Sequence, residues 1–181
     1  MSTRTVLPRV VMTQADMARA LTRISHEILE SNKGSDGLVL LGIPTRGVTL
    51  AHRIGALVAQ FGGADVPVGS LDVTMYRDDL HRNPTRAPQP TQIPAGGIDG
   101  KVVVLVDDVL FSGRSIRAAL DALQDIGRPA VVRLATLVDR GHRELPIRPD
   151  FVGKNLPSSR DERVNVRLAE TDGAEEVTIE S

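Results

Sequence analysis

The chain has no cysteine, which excludes disulfides, thiolate metal ligands and cysteine nucleophiles together. Aromatic residues are only 2% of its 181 residues, with no Trp, one Tyr and three Phe. The core must therefore come from Val, Leu, Ile and Ala, and single-strand binding through base stacking loses its usual platform. No apolar run approaches the ~18 residues that a membrane helix needs, and no long apolar segment follows a basic patch at the N-terminus. A cytoplasmic protein with no membrane partner is expected. Net charge is −1, from 22 basic and 23 acidic residues, which argues against a general nucleic-acid coat. Lysine is scarce (Lys33, Lys101 and Lys154 only), so arginine carries the positive charge. Neither Gly-x-x-x-x-Gly-Lys-Ser/Thr nor Gly-x-Gly-x-x-Gly occurs, so nucleotide hydrolysis and dinucleotide binding both lose ground.

What the chain does have is concentrated in residues 102–115. Val102 to Val106 is an almost purely apolar run, as in a strand buried on both faces of a parallel sheet. It ends in two adjacent acids, Asp107 and Asp108. A hydroxyl-and-glycine loop follows (Ser112, Gly113, Ser115), and then a helix whose apolar positions Ile116, Ala119, Leu120 and Leu123 share a face. Ser and Gly at a helix N-terminus offer N–H groups, hydroxyls and the positive end of the helix dipole, which suits a phosphate. Ordinary N-capping accounts for Ser and Gly alone. It does not account for paired acids at a buried strand end, whose repulsion and desolvation need a reason. A vicinal diol for the acids and a phosphate for the loop together describe a ribose 5-phosphate.

Around this segment the pattern is strand, small loop, helix. Thr13 to Asp16 reads as a capped helix start, with Met17, Leu21, Ile24 and Ile28 as the apolar stripe of a helix reaching about Lys33. Gly37 to Ile43 reads as a second buried strand. It leads through Thr45, Arg46 and Gly47 into a helix over Val48 to about Gln60. Arg46 stands where the other loop has acids, so a substrate anionic at two ends is implied. Val66 to Met75 is expected as a strand, and residues 76–97 as a mobile lid whose Arg77, Arg82 and Arg86 can close over a polyanion. Ala130 to Val138 is the next strand, Leu145 to Ser159 is expected to be irregular, and Arg163 to Leu168 and Val177 to Ile179 are strands. The expected architecture is one α/β domain with a mainly parallel sheet flanked by helices, its ligand at the carboxyl ends of the strands.

Val104-Leu-Val-Asp-Asp-Val-Leu-Phe-Ser-Gly-Arg-Ser115 resembles the signature of the type I phosphoribosyltransferases. Ala20-Leu-Thr-Arg-Ile-Ser-His-Glu27, Thr74-Met-Tyr-Arg-Asp-Asp-Leu80, Val138-Asp-Arg-Gly-His-Arg-Glu-Leu-Pro-Ile-Arg148 and Gly153-Lys-Asn-Leu-Pro157 narrow it. Together they resemble, over essentially the full length, the bifunctional pyrimidine-operon regulators that are also uracil phosphoribosyltransferases. The resemblance implies that fold, with a small hood at about 140–160. It implies that Asp107 and Asp108 hold the ribose hydroxyls. The loop of Val109, Leu110, Phe111, Ser112, Gly113, Arg114 and Ser115 would cradle the 5-phosphate of phosphoribosyl pyrophosphate. Thr45 and Arg46 would bind the pyrophosphate, joined by Arg86 from the lid. Arg140 and backbone near Val164 would enclose uracil. Mg2+ would enter with the pyrophosphate, reached by Asp139 through water. Thr22, Arg23, His26, Arg148 and Lys154 would bind a hairpin of pyr messenger RNA when UMP or UTP fills the pocket. One basic residue of the family pattern is replaced by Ser31, which removes a phosphate contact. A homodimer or higher oligomer is implied as well.

Two other readings use the same residues: an RNA-binding UMP/UTP sensor with negligible catalysis, and a phosphoribosyltransferase for another base such as hypoxanthine. Intact Thr45, Arg46, Asp107, Asp108 and Arg140 disfavour the first. The segment after Asp139 disfavours the second, through resemblance alone.

Overall fold

The computed structural model describes residues 7–78 and 90–181. Arg82 and Arg86, expected in the lid, lie outside the described residues. The chain runs through β1 (Arg9–Met12), α1 (Gln14–Asn32), β2 (Leu38–Gly42), α2 (Arg46–Gly62) and β3 (Val68–Ser70). It continues through β4 (Val102–Leu110), α3 (Arg114–Gln124), β5 (Val131–Asp139), β6 (Phe151–Asn155), β7 (Arg163–Arg167), α4 (Ala169–Asp172) and β8 (Glu176–Glu180). Five strands form one sheet in the order β3-β2-β4-β5-β6, every neighbour parallel. A second, antiparallel sheet has the order β1-β8-β7.

The parallel arrangement explains the unbroken apolar runs, because both sheet faces are covered. Val104 and Val106 of β4 join α1, α2 and the small sheet in one core, whereas Val103 and Leu105 join α3 in the other. α1 begins with a reciprocal capping box, Asp16 N–H donating to Thr13 Oγ1 at 3.2 Å and Thr13 N–H to Asp16 Oδ2 at 2.9 Å. It ends on Lys33, whose φ of 56° is left-handed. Its expected stripe, Met17, Leu21, Ile24 and Ile28, is wholly buried.

Several sequence expectations need correction. The strand expected over 66–75 is only Val68–Ser70, followed by a short 3-10 turn at Thr74–Tyr76. Segment 145–159 is not irregular throughout: Phe151–Asn155 pairs with β5 as an edge strand. Its few apolar residues are interspersed with Gly, Lys and Asn, so periodicity could not mark it. Residues 140–160 thus give a strand to the main sheet, and the separate small sheet is built from β1, β7 and β8. The end of the expected lid is docked, since Gln92 bridges Ser70 and Asp72 N–H donates to Thr91 Oγ1. Leu120 is exposed; α3 buries Ile116, Ala118, Ala119, Ala122 and Leu123, a face turned toward its alanines.

α2 starts two residues earlier than its apolar pattern suggests, at Arg46. Its first turn lies directly on the sheet. A Cβ on Gly47 would sit 2.5 Å from the Val106 carbonyl oxygen, and one on Gly42 would meet the backbone of Gly47 and Val48. Backbone is on both sides, so neither clash can be relieved by a side chain moving. Gly47→Ala is expected to destabilise the protein by about 1 to 3 kcal/mol in urea denaturation, as overpacking does, outweighing the ~1 kcal/mol helix propensity that alanine brings. Unchanged stability would mean that the helix is not seated as described.

Candidate active site

The carboxyl ends of β2, β4 and β5 gather the candidate residues. β4 does not stop at Val106 but runs through both acids to Leu110, with Asp107 opposite Thr136 and Leu110 opposite Asp139. Each acid is oriented by the next peptide: Asp107 Oδ1 accepts from Asp108 N–H at 2.9 Å, and Asp108 Oδ1 from Val109 N–H at 2.8 Å. Asp107 is buried and Asp108 half-buried. Fixed, adjacent carboxylates suit the two hydroxyls of a ribose.

Phe111, Ser112 and Gly113 form the loop into α3. Gly113 has φ 92°, a conformation that side chains with a Cβ rarely adopt. It turns the chain so that the first turn of α3 presents its N–H groups, which have no partner within the helix. Ser112 Oγ accepts from Arg114 N–H at 3.3 Å. Ser115 Oγ accepts from Arg77 Nη1 at 2.5 Å. Arg114 itself points away, its guanidinium paired with Asp78 at 2.5 Å and Glu144 at 3.0 Å. The Arg114 guanidinium is therefore engaged, and main-chain N–H groups and hydroxyls are what the turn offers a ligand.

Facing the acids is Arg46, at the first position of α2 behind Thr45, which follows a cis Pro44–Thr45 peptide. Arg46 forms a fork with Asp172 of α4, Nε to Oδ2 at 3.1 Å and Nη2 to Oδ1 at 2.6 Å. That bond, with Asp108 nearby, holds the guanidinium more firmly charged than usual. A polar cavity of about 310 Å3 lies between, lined by Arg46, Asp108, Val164, Asn165 and Asp172 among others. The expected Arg46, Asp108 and Val164 are thus brought together.

Arg140 directly follows β5. It is buried over the Phe111 ring, 4.3 Å from the centroid, and Nη2 donates to the carbonyls of Ser159 at 2.8 Å and Glu162 at 2.6 Å. Burial lowers its pKa from the ordinary arginine value. Its Nε is buried without a partner among the described residues. Asp139 has both oxygens engaged, by Gly141 N–H at 3.0 Å and Arg143 Nη2 at 2.7 Å. Arg143 also donates to the carbonyls of Ile147 and Phe111. Sequence reading missed Arg143, Asp172 and Arg53: nothing in their local pattern sets them apart from surface charges.

The described residues contain no group of three or more His, Cys, Asp and Glu side chains able to hold a metal. The donor set fits an ion that arrives with most of its ligands, as Mg2+ with phosphate oxygens and water does.

The α1 face holds the other candidates. Thr22, Arg23 and His26 line an open depression with Arg19, Glu27 and Glu30. Arg23 donates to the carbonyls of Val152 and Gly153 in β6, beside exposed Lys154. His26 stacks on Phe61 at 4.1 Å between centroids. Arg148 is exposed in the connection before β6. The patch is not purely basic, since Arg19 pairs with Asp16 and Arg23 with Glu27. No described helix is long and apolar enough to cross a membrane.

A parallel sheet with an acid pair, a glycine-turned loop and a facing arginine at its carboxyl ends defines the phosphoribosyltransferase class. Residues 12–169 match the phosphoribosyl transferase domain family. A hypoxanthine phosphoribosyltransferase of Trypanosoma cruzi, solved as a ternary substrates complex, superposes with a TM-score of 0.75 at 16% identity, over 98% of this chain and 96% of that one. Bifunctional protein PyrR of Leifsonia xyli is 70% identical over 97% of this chain and 98% of its own length. Its namesake in Streptomyces coelicolor is 64% identical over 94% and 89%. The chain belongs to the phosphoribosyltransferase family, within the group of proteins named bifunctional protein PyrR.

The small sheet is tied to α2 by a second arginine. Arg53 pairs with Glu170 and Glu175, which flank Asp172. Hydrogen bonds from Arg46 and Arg53 hold Asp172, Glu170 and Glu175 below their ordinary values of 3.8 and 4.5. A depressed carboxylate adds stability above its unfolded pKa, and that stability is lost as pH falls through the folded one. Amide exchange of β8, corrected for intrinsic rates, should therefore accelerate as pH falls from about 4.5 and below 3.8. Arg53→Met should flatten that dependence. A β8 profile already flat in the parent protein would contradict the coupling.

Proposed function

We propose that the protein transfers the ribosyl phosphate of phosphoribosyl pyrophosphate to uracil, giving UMP and pyrophosphate, and binds pyr messenger RNA in response to uridine nucleotides. The observation that carries the enzymatic half is Arg46 facing Asp108 across a polar cavity at the strand ends, beside the Gly113 turn. One end of that arrangement takes a diol and a phosphate, and the other takes a second anion.

In the reaction the bond from C1′ to pyrophosphate oxygen breaks, the C1′–N1 bond forms, and the N1 proton leaves to solvent. Positive charge grows on the sugar and negative charge on the leaving group, so positioning and electrostatics suffice without a side-chain nucleophile. Asp107 and Asp108 hold the 2′- and 3′-hydroxyls and place negative charge under the ring. The loop from Leu110 to Ser115 fixes the 5-phosphate through N–H groups, Ser112 and Ser115. Thr45 and Arg46 receive the pyrophosphate, with Arg86 added to them. Mg2+ would supply charge neutralisation to the pyrophosphate, and Asp139, with lone pairs beyond its two hydrogen bonds, would hold it through water. Backbone around Val164 encloses the base, while Arg140 shapes that wall through the Ser159 and Glu162 carbonyls.

The regulatory half uses Thr22, Arg23, His26, Lys154 and Arg148. Arg23 is braced against β6, which keeps it beside Lys154. The same reading carries a cytoplasmic location and a homodimer or higher oligomer, the latter measured by sedimentation.

Arg46→Ala is expected to cost about 2 to 4 kcal/mol in kcat/KM, as loss of an electrostatic donor does. Pyrophosphate release from labelled phosphoribosyl pyrophosphate with each free base tests the substrate. Release with uracil and not hypoxanthine is expected; release with no base would leave a sensor. For RNA, filter binding to a pyr leader hairpin should tighten with UMP and weaken with salt. Lys154→Ala should reduce the slope of log affinity against log salt by about 1, the share of one phosphate contact. Binding indifferent to UMP would refute the regulatory half.

A further inference from the structure

Arg46 does not meet the cavity as a lone cation. Its Nε and Nη2 form a fork onto Asp172, and Asp172 is held from behind by the Leu168 N–H at 2.9 Å. A guanidinium carries five N–H donors in one plane. The fork uses one edge, no hydrogen bond engages Nη1 among the described residues, and Arg46 lines the cavity together with Asp108.

α4 has four residues, too few to stand as an independent helix. It is fastened to α2 a second time, because Arg53, two turns below Arg46 on the same face, grips Glu170 and Glu175. Glu175 in turn accepts from the Ala169 N–H at 3.0 Å. The carboxylate between these two acids is therefore set at a fixed place relative to α2. Its side chain is 18% exposed, so water competes little for it.

We propose that Asp172 is a positioning residue for the transfer reaction, which orients Arg46 by its Nε–Nη2 edge so that the Nη1 edge faces the pyrophosphate. Asp172 touches no substrate. The alternative geometry, in which Asp172 competes with pyrophosphate for the same edge, would require that fork to open. Leu168 and the Arg53 staple both hold it shut.

The inference rests on Arg46 as the pyrophosphate ligand, and the test separates the two ideas. Full-length parent, Asp172→Asn, Asp172→Glu and Arg46→Ala are titrated calorimetrically with magnesium pyrophosphate, with phosphoribosyl pyrophosphate and with UMP. UMP has no pyrophosphate, so it reports whether the rest of the pocket is intact. Asp172→Asn should weaken both pyrophosphate-bearing ligands about tenfold, as loss of an outer orienting partner does at metal sites, and leave UMP unchanged. Asp172→Glu keeps the charge at a shifted position and should fall between; it carries the test if the Asn variant does not fold. Pyrophosphate bound as well or better in both Asp172 variants would overturn the proposal, the tighter case marking a competitor. UMP weakened by the same factor would overturn it too, leaving a structural role only. Unaltered pyrophosphate binding in Arg46→Ala would instead remove the reading of Arg46 on which it stands.

Discussion

The site depends on one close approach: the first turn of α2 lies against the carboxyl ends of β2 and β4 with no side chain between them. Gly42 and Gly47 make that approach possible, since a Cβ at either would meet backbone. The consequence is positional. Arg46, one residue before Gly47, is carried to within electrostatic range of Asp108, two residues past Val106. Helix and strand are both rigid elements, so the cation and the acid face each other across a cavity instead of collapsing into an ion pair. A direct pair would neutralise the groups that a ribose and a pyrophosphate need apart.

Arginine forks do the fastening that aromatic packing does in other proteins. The small sheet has short strands, and its attachment to α2 is by Arg46 with Asp172 and Arg53 with Glu170 and Glu175, besides the apolar contacts of Val166, Val177 and Ile179. A bidentate pair is directional where an apolar contact is not. It sets the rotation of β7 over the cavity, and hence where Val164 and Asn165 stand. A lysine in place of Arg46 or Arg53 would have no fork to offer.

Much of this was legible in the sequence, and the legible part has a physical character. Buried parallel strands announce themselves as apolar runs, so Leu38–Gly42 and Val102–Val106 could be read directly. The acid pair and the Ser/Gly loop are adjacent in the chain, and their chemistry shows in their order. What was not legible is long-range. Asp172 matters because it meets Arg46 across 126 positions; within its own segment it is one acid among several. β6 escaped because an edge strand needs little apolar area and carries Lys154 and Asn155 outward. The surroundings of Arg140 are long-range as well: it follows a strand end, and only the fold reveals that its Nη2 donates to Ser159 and Glu162.

That last point bears on how the phosphate loop and the base wall are coupled. Phe111 is one of three phenylalanines in the chain, and its ring meets both the Arg140 guanidinium and, edge to face, the His142 ring. Its carbonyl accepts from Arg143, which also holds Asp139 and Ile147. Ser112 accepts from the N–H groups of Glu144 and Leu145 at 2.9 and 3.2 Å. The loop that follows the acids is therefore bonded to the segment after β5 by both side chain and main chain. Arg140 extends the connection to Ser159 and Glu162, immediately before β7. Arg140 thus joins the Phe111 ring of the loop to the segment that leads into β7, where Val164 stands. The loop after the acids and the segment before β7 therefore keep a fixed spacing, which a ligand held at both of its ends requires.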